Sequence, residues 1–213
     1  MLITAGPTWV AIDKVRVITN IFSGRTGCII AKTARGMGAK VNILLGPGRL
    51  NYAPRFFHGI RVAKYRYFDE LLNLVNREIS WGNYDVIIHS AAVSDYFPIK
   101  TYSNKIPSRK NELILKLKPT IKIIKEIRRI APSIYLVQFK LEVDKTETDL
   151  IDEGFRSMLY NKADLCVVND LNKMDEINHE AFILGANKRV TKVNNRGELA
   201  KELLKIISPE IDE

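Results

Sequence analysis

Cysteine is scarce in this chain: two residues among 213, Cys28 in "TGCIIA" and Cys166 in "DLCVVND". Two isolated cysteines in apolar runs exclude a disulfide framework and a cysteine metal cluster, and they fit buried thiols in a reducing cytosol. Cys28, near a helix start, is the one candidate for a reactive thiol. Histidine is nearly as rare, and His58, His89 and His179 are scattered, none in an H-E-x-x-H or H-x-H setting. His89 ends a buried strand and reads as a satisfied core residue. No run of about 18 apolar residues occurs, which excludes a membrane-spanning helix. The opening "MLITAGPTWV" lacks the basic and long apolar regions of a secretion signal, so a cytoplasmic location is expected. Neither a Walker loop nor G-x-G-x-x-G is present. Acidic residues are few in the first half: 16 Lys+Arg face 6 Asp+Glu over residues 1–110, against 17 and 18 over 111–213. A polyphosphate, a nucleic acid, or simply solvated lysines would each account for that field.

What the sequence does have is an alternation of strands and helices. It is 46% hydrophobic, enough for one core with room for a small appended lobe, so 1–213 is expected to be a single domain. "LITAG", "KVNILLG", "IRVAKY", "YDVIIHSAA", "ILKLK", "IYLVQFK" and "ADLCVVND" read as strands. "GRTGCIIAKTARGMGA", "FDELLNLVNREI", "ETDLIDEGFRSMLYNK" and "RGELAKELLKII" read as helices. "PTIKIIKEIRRIA" reads as a helix with proline in its first turn. "AFILG" and "RVTKV" form a hairpin at about 181–193. Polar, basic "YSNKIPSRKNEL" has no hydrophobic period and is expected to be a long mobile loop, a flap at about 99–112. The fold class is therefore α/β: a doubly wound, Rossmann-like, mostly parallel sheet with helices on both faces and a C-terminal hairpin.

Ligands in such sheets bind beyond the carboxyl ends of the strands, where "AGPT", "AAVSDYFP" and "VVND" fall. In "SGRTG", Ser23, Gly24 and Gly27 open a helix whose free N–H groups suit phosphate, and Gly6 adds a second close approach. The plainer alternative is an ordinary cap, with Ser23 at the N-cap and the glycines packing on the sheet. Ala91 and Ala92 leave room for a flat ring. Asp95 offers a carboxylate to an amino group or a ribose, or caps the next turn. Lys105, Arg109 and Lys110 put cations on the flap, where one can neutralise a reacting phosphorus; otherwise the loop is simply solvated. Asn20 can donate its amide to a carbonyl or oxyanion. Arg16 suits phosphate or carboxylate, or pairs with Asp13.

Taken in order, "LITAGPT", "ID" and "VR" before "ITN", "SG" before Gly27, "AAVSDY", Lys105-Ile106, "QFKLE" and "ADLCVVND" resemble phosphopantothenate–cysteine ligase, from Leu2 to about Asp170. The resemblance implies a ligase of coenzyme A biosynthesis. Such a ligase activates 4′-phosphopantothenate as an acyl-nucleotidylate, with CTP (or ATP) as co-substrate, and lets the amine of cysteine displace the nucleotide. It implies catalytic roles for Asn20 and Lys105, and substrate contacts from Arg16, Asn20, Ala91 and Ala92. Nucleotide contacts would come from Gly6, Ser23, Gly24, Gly27, Asp95, Lys105, Phe139, Lys140 and Lys162. It also implies Mg²⁺ held mainly by nucleotide phosphates, a homodimer in which the hairpin is a place for strand exchange, and a separate decarboxylase as possible partner, since the chain begins at its first strand like a stand-alone form. Trp9-Val10-Ala11 and Pro107-Ser108 depart from the family pattern. Two rival classes share some features. A short-chain NAD(P) reductase needs Tyr and Lys four apart on a helix, whereas Tyr102 and Lys105 are three apart in a loop. A nucleic-acid-binding module lacks a recognition helix and a stacking stripe. No membrane and no nucleic acid are expected among the partners.

Overall fold

The computed structural model describes residues 1–48, 50, 52–109, 111–175 and 178–210, the side chains of 187 and 210 excepted. The chain runs β1 (Leu2–Ala5), β2 (Trp9–Ala11), β3 (Val17–Thr19), α1 (Arg25–Gly36), β4 (Val41–Leu45), β5 (Ile60–Lys64), α2 (Phe68–Trp81) and β6 (Val86–His89). It continues through β7 (Tyr96–Pro98), β8 (Leu117–Pro119), α3 (Ile123–Ile130), β9 (Tyr135–Glu142), α4 (Glu147–Asn161), β10 (Leu165–Asp170), β11 (Ala181–Leu184), β12 (Val190–Val193) and α5 (Arg196–Ile207). Eight strands form one sheet in the order β12-β11-β10-β9-β6-β1-β4-β5. The six from β10 to β5 are parallel, and β11 and β12 return antiparallel. This is the expected doubly wound sheet with its hairpin.

The central strands are covered on both sides, so they are predominantly apolar rather than alternating, with polar residues near their carboxyl ends. All four residues of β1 are buried, as are all six of β10. Alternate residues still face opposite layers. Ile3 packs with Cys28, Ile30 and Ala34 of α1 and with Leu199 and Leu203 of α5. Leu2 packs on the other face with Leu71 and Val75 of α2 and Ile123 and Ile127 of α3. A third cluster joins Leu150 and Met158 of α4 to Cys166, Val168 and Leu184.

Strand order reverses between β1 and β6: the chain steps from β1 outward to β5, then from β6 outward the other way. Such a reversal opens a crevice at the carboxyl ends of the strands. The two loops bordering it are stitched together: Ala92 donates its N–H to the Gly6 carbonyl at 3.0 Å, and Thr8 to the Ala92 carbonyl at 3.3 Å. The buried Thr8 hydroxyl accepts from Ser94 N at 2.9 Å. Tyr65 donates its hydroxyl to the carbonyls of Ala5 and Gly6, fixing the end of β1.

Two expectations need correction. Pro119 does not start a helix; it ends β8, because Thr120 N is drawn to the Asp95 carbonyl at 2.8 Å, and α3 begins only at Ile123. "ILKLK" contributes only Leu117 and Lys118 to a strand, and β8 pairs with β7 in a small separate sheet, as β2 does with β3. The segment expected to be the flap makes contacts with the β2–β3 region. Tyr102 N donates to the Ile12 carbonyl at 3.0 Å, and Ile106 is buried with its N–H on Asp13 Oδ2 at 3.0 Å. Lys110 lies outside the described residues.

Candidate active site

Asp13 organises the approach to the crevice. Its Oδ1 accepts from Val15 N and Arg16 N, which closes the β2–β3 turn. Its Oδ2 accepts from Ile106 N and from Arg16 Nη1, the latter at 2.6 Å. The Ile106 amide and these neighbours hold its carboxyl well below the usual range, against an opposing push from desolvation. Arg16 also donates to the Ile106 carbonyl at 3.2 Å. It is therefore a strut between turn and flap, and it takes the ion pair with Asp13 that was its plainer reading.

Two cavities open at the reversal point. The larger, about 820 Å³, lies between α3 and α4 over β6 and β9. The smaller, about 170 Å³, lies over the N-termini of α1 and α5. Phe22, Ala91, Ala92, Phe139 and Leu141 line both and form their common wall.

In the smaller cavity the glycines prove to be packing devices first. Gly24, not Ser23, is the N-cap of α1, with φ +84°, and a Cβ there would sit 2.6 Å from Gly6 N. A Cβ on Gly27 would sit 2.6 Å from both the Ala5 side chain and Ser90 Oγ. Small residues let α1 start directly against the end of β1, so its N-terminal N–H groups and positive dipole end face the cavity. Ser23 instead accepts from Arg25 N through its hydroxyl at 3.4 Å.

In the larger cavity Asn20 Nδ2 donates to the carbonyls of Ala92 and Val93 at 3.0 and 3.2 Å. The amide expected to meet an acyl oxygen is thus engaged with the wall beside it. Asp95 is exposed and accepts from Lys122 Nζ at 2.6 Å. Lys140 pairs with Glu142 at 2.9 Å, and Arg156 with Glu153 at 3.4 Å. Each cation on this rim therefore already holds a carboxylate. Such partly solvated pairs contribute little to stability and exchange readily for a phosphate. Deeper in, Asn161 donates to Gln138 Oε1 at 2.8 Å and Gln138 to Ser157 Oγ at 3.1 Å. His89 shares a 2.9 Å hydrogen bond with Thr4, and burial brings its pKa down to about 4, so it is neutral near pH 7. Burial pushes the thiols of Cys28 and Cys166 up to about 12 and about 11, which makes both structural.

Of the expected site residues, Gly6, Ser23, Gly24 and Gly27 line the smaller cavity, Asn20, Asp95 and Lys140 the larger, and Ala91, Ala92 and Phe139 both. Arg16, Lys105 and Lys162 line neither. Lys105 is exposed beside the anchored Ile106, and Lys162 caps the C-terminus of α4 in a left-handed conformation, φ 53°. Sequence reading passed over Phe22, Lys122, Arg156, His179 and Arg196 as site residues. Only Arg196 carried a usable signal, as a cation at the first position of a helix following a strand. Among the described residues no group of three or more His, Cys, Asp or Glu could hold a metal ion. None of their helices is long and apolar enough to cross a membrane.

Residues 1–210 match the family described as the DNA/pantothenate metabolism flavoprotein C-terminal domain. The chain is 32% identical over 205 residues to the coenzyme A biosynthesis bifunctional protein CoaBC of Thermococcus kodakarensis, an alignment covering 95% of this chain and 49% of that protein. It thus spans about half the length of that relative. Among solved structures, the DNA/pantothenate metabolism flavoprotein from Streptococcus pneumoniae superposes with a TM-score of 0.86 at 31% identity, covering 98% of both chains. The C-terminal domain of a CoaBC protein gives 0.79 at 26% identity, covering 99% of this chain and 94% of the other.

Proposed function

This chain belongs to the family of the DNA/pantothenate metabolism flavoprotein C-terminal domain, and from that premise we propose that it joins 4′-phosphopantothenate to L-cysteine in coenzyme A biosynthesis. Coenzyme A biosynthesis is the role named in its bifunctional relative. The observation that carries the reading is the pair of cavities meeting at one wall of small and apolar residues. Ligation through an acyl-nucleotidylate needs such an arrangement. A substrate carboxylate oxygen attacks the α-phosphorus of a nucleoside triphosphate, and pyrophosphate leaves. The cysteine amine then attacks the acyl carbon, gives up a proton, and the nucleoside monophosphate leaves with the C–O bond electrons. No covalent enzyme nucleophile is required; positioning and cations supply most of the rate.

In this reading the α1 N-terminus receives phosphate and Ala91 and Ala92 border the acyl carbon. Lys122, Lys140 and Arg156 exchange their carboxylate partners for charge on the substrates. Asn20 turns from the Ala92 and Val93 carbonyls to the acyl oxygen. Lys105 reaches the triphosphate by movement of the exposed flap on either side of its Ile106 anchor, which also shields the intermediate from water. Asp95 contacts the nucleotide, and Phe139 stacks beside it. Mg²⁺ arrives with the phosphates, since the cavities offer only scattered carboxylates. CTP and ATP both remain candidates for the nucleotide. A homodimer and a separate decarboxylase partner belong to the same proposal.

The test is incubation of the chain with 4′-phosphopantothenate, cysteine, Mg²⁺ and either CTP or ATP, following pyrophosphate release and product mass. Release that requires phosphopantothenate supports the reading, and no release with either nucleotide rejects it. Lys105→Gln is expected to slow the first half-reaction at least ~100-fold. Full activity in that variant removes Lys105 from the mechanism.

A further inference from the structure

Where α4 meets β9, the larger cavity is lined by three uncharged polar side chains, Gln138, Ser157 and Asn161, to which the ligation chemistry above gives no task. Gln138 is 2% exposed, and its amide is engaged at both ends. Its Nε2 donates to Ser157 Oγ at 3.1 Å and to Cys166 Sγ at 3.3 Å, while its Oε1 accepts from Asn161 Nδ2 at 2.8 Å. That last bond turns the Asn161 nitrogen inward, where it also reaches Ser157 Oγ at 3.5 Å. The Asn161 oxygen is left over. Among the described residues Oδ1 accepts no hydrogen bond, and it is open to solvent rather than sealed in the protein. Ser157 Oγ accepts from both amides, so its own proton is left to donate. Ser157 and Asn161 are four apart on α4 and so share one face of the helix. They offer the cavity an acceptor beside a donor.

A nucleotide brings a group with the complementary pattern. Ala91, Ala92 and Phe139 line the same cavity and admit a flat ring. They also form the wall shared with the cavity at the α1 N-terminus, where phosphate is received. A base carried across that wall reaches α4. Cytosine and adenine present an exocyclic amine, a donor, beside a ring-nitrogen acceptor. Uracil and guanine present a keto oxygen beside a ring N–H, the reverse order. The first order pairs with Asn161 Oδ1 and the Ser157 hydroxyl. The second sets oxygen against oxygen and leaves polar groups unpaired, which is costly in a cavity.

We infer that Asn161 and Ser157 select nucleotides with an amino-type base edge, cytosine or adenine, over the keto bases uracil and guanine, and that Gln138 is the positioning residue that turns the Asn161 oxygen outward; the inference rests on the nucleotide-dependent ligation proposed above. The phosphates are recognised elsewhere, so base selection and anion binding are separable.

Binding is measured by calorimetry on the full chain with CTP, UTP, ATP and GTP, and with inorganic tripolyphosphate as the base-free probe. CTP is compared with UTP and ATP with GTP, so ring size is the same within each pair. The wild-type chain should favour CTP over UTP and ATP over GTP by ~10-fold or more, the cost of a mispaired edge. Asn161→Leu should bring both ratios to within ~2-fold of unity and leave tripolyphosphate within ~2-fold of wild type. Ser157→Ala should reduce the ratios by a smaller factor, and Ser157→Thr, which keeps the hydroxyl, should preserve them. Gln138→Met frees the Asn161 amide to present either end, so both ratios should fall while tripolyphosphate still binds; a residue needed only for packing would not move a ratio between bases of one size. Equal wild-type affinity for the amino and keto members of each pair, a preference for UTP and GTP, or wild-type ratios in Asn161→Leu each overturns the inference and leaves the ligase reading intact. A wild-type chain that binds none of the four nucleotides overturns both.

Discussion

Two buried polar groups, one at each end of the central sheet, are treated in opposite ways. At the amino-terminal edge a hollow of about 440 Å³ contains Glu78, 4% exposed, which Arg61, Tyr84 and Asn42 all engage. The Tyr84 hydroxyl is pushed up to about 12, first by burial and then by its bond to Glu78. At the carboxyl-terminal rim the counterpart is His179, equally buried and unpartnered. Glu78 is held in place by its partners and belongs to a structural joint, whereas His179 takes no part in any side-chain network. Size does not separate the two cases, since the amino-terminal hollow is larger than the cavity containing His179.

Breaking the comparison begins at the rim. Asn20→Asp replaces a donor by an acceptor opposite the carbonyls of Ala92 and Val93. Product formation should fall at least ~100-fold, as for loss of an oxyanion donor, with acyl-nucleotidylate accumulating in the mass spectrum. Normal turnover would remove Asn20 from the second half-reaction. The matching change at the other end, Glu78→Ala, should leave activity within ~2-fold but destabilise the fold by roughly 1–3 kcal/mol, because the Tyr84 hydroxyl and Arg61 lose their carboxylate acceptor. Urea unfolding with parallel assays separates the outcomes, and a large activity loss at unchanged stability would reverse the assignment of the two ends.

A gentler probe is Asp13. Its folded pKa is depressed, so its contribution is fully present above the unfolded value of about 3.9 and is lost as pH falls through the folded pKa. Amide exchange at Ile106 should be slow at neutral pH, and protection should begin to decline below about pH 4 and vanish only as the pH passes the depressed folded pKa. Asp13→Asn should lose it at pH 7. Protection that persists in both cases would mean the flap is held by something other than Asp13. The smallest effect is expected from Asp95→Asn, which breaks an exposed pair with Lys122. Stability should change by less than about 1 kcal/mol, while KM for nucleotide rises. An unchanged KM would place Asp95 outside the nucleotide's reach.

Several parts of the molecule were legible because local chemistry agrees with the fold. β1 and the Leu165–Val168 part of β10 are short apolar runs that read as buried strands, and α1 and α5 show a helical apolar stripe. β2 and β7 were not legible, since three-residue strands such as "WVA" and "YFP" are too short for a period. Pro119 misled because proline suits a helix start and a strand end equally well; the bond from Thr120 to Asp95 decides. Ala91 and Ala92 were found from their neighbours in sequence, and Lys105 from the charge of its loop. Phe139 and Lys162 were named by resemblance; Phe139 lines both cavities, whereas Lys105 and Lys162 lie off them in this conformation.

By itself the sequence determined the layered α/β architecture, the helix start at the glycine turn and the ordered motifs that place the chain in its family. All of these are written in residues close together along the chain. Tertiary structure alone decided that Arg25 and Arg196 share one cavity with His179, and that Asp13 holds Ile106 across 93 positions. Such encounters depend on strand order, which arises from the summed packing of the whole sheet and leaves no mark on any single stretch.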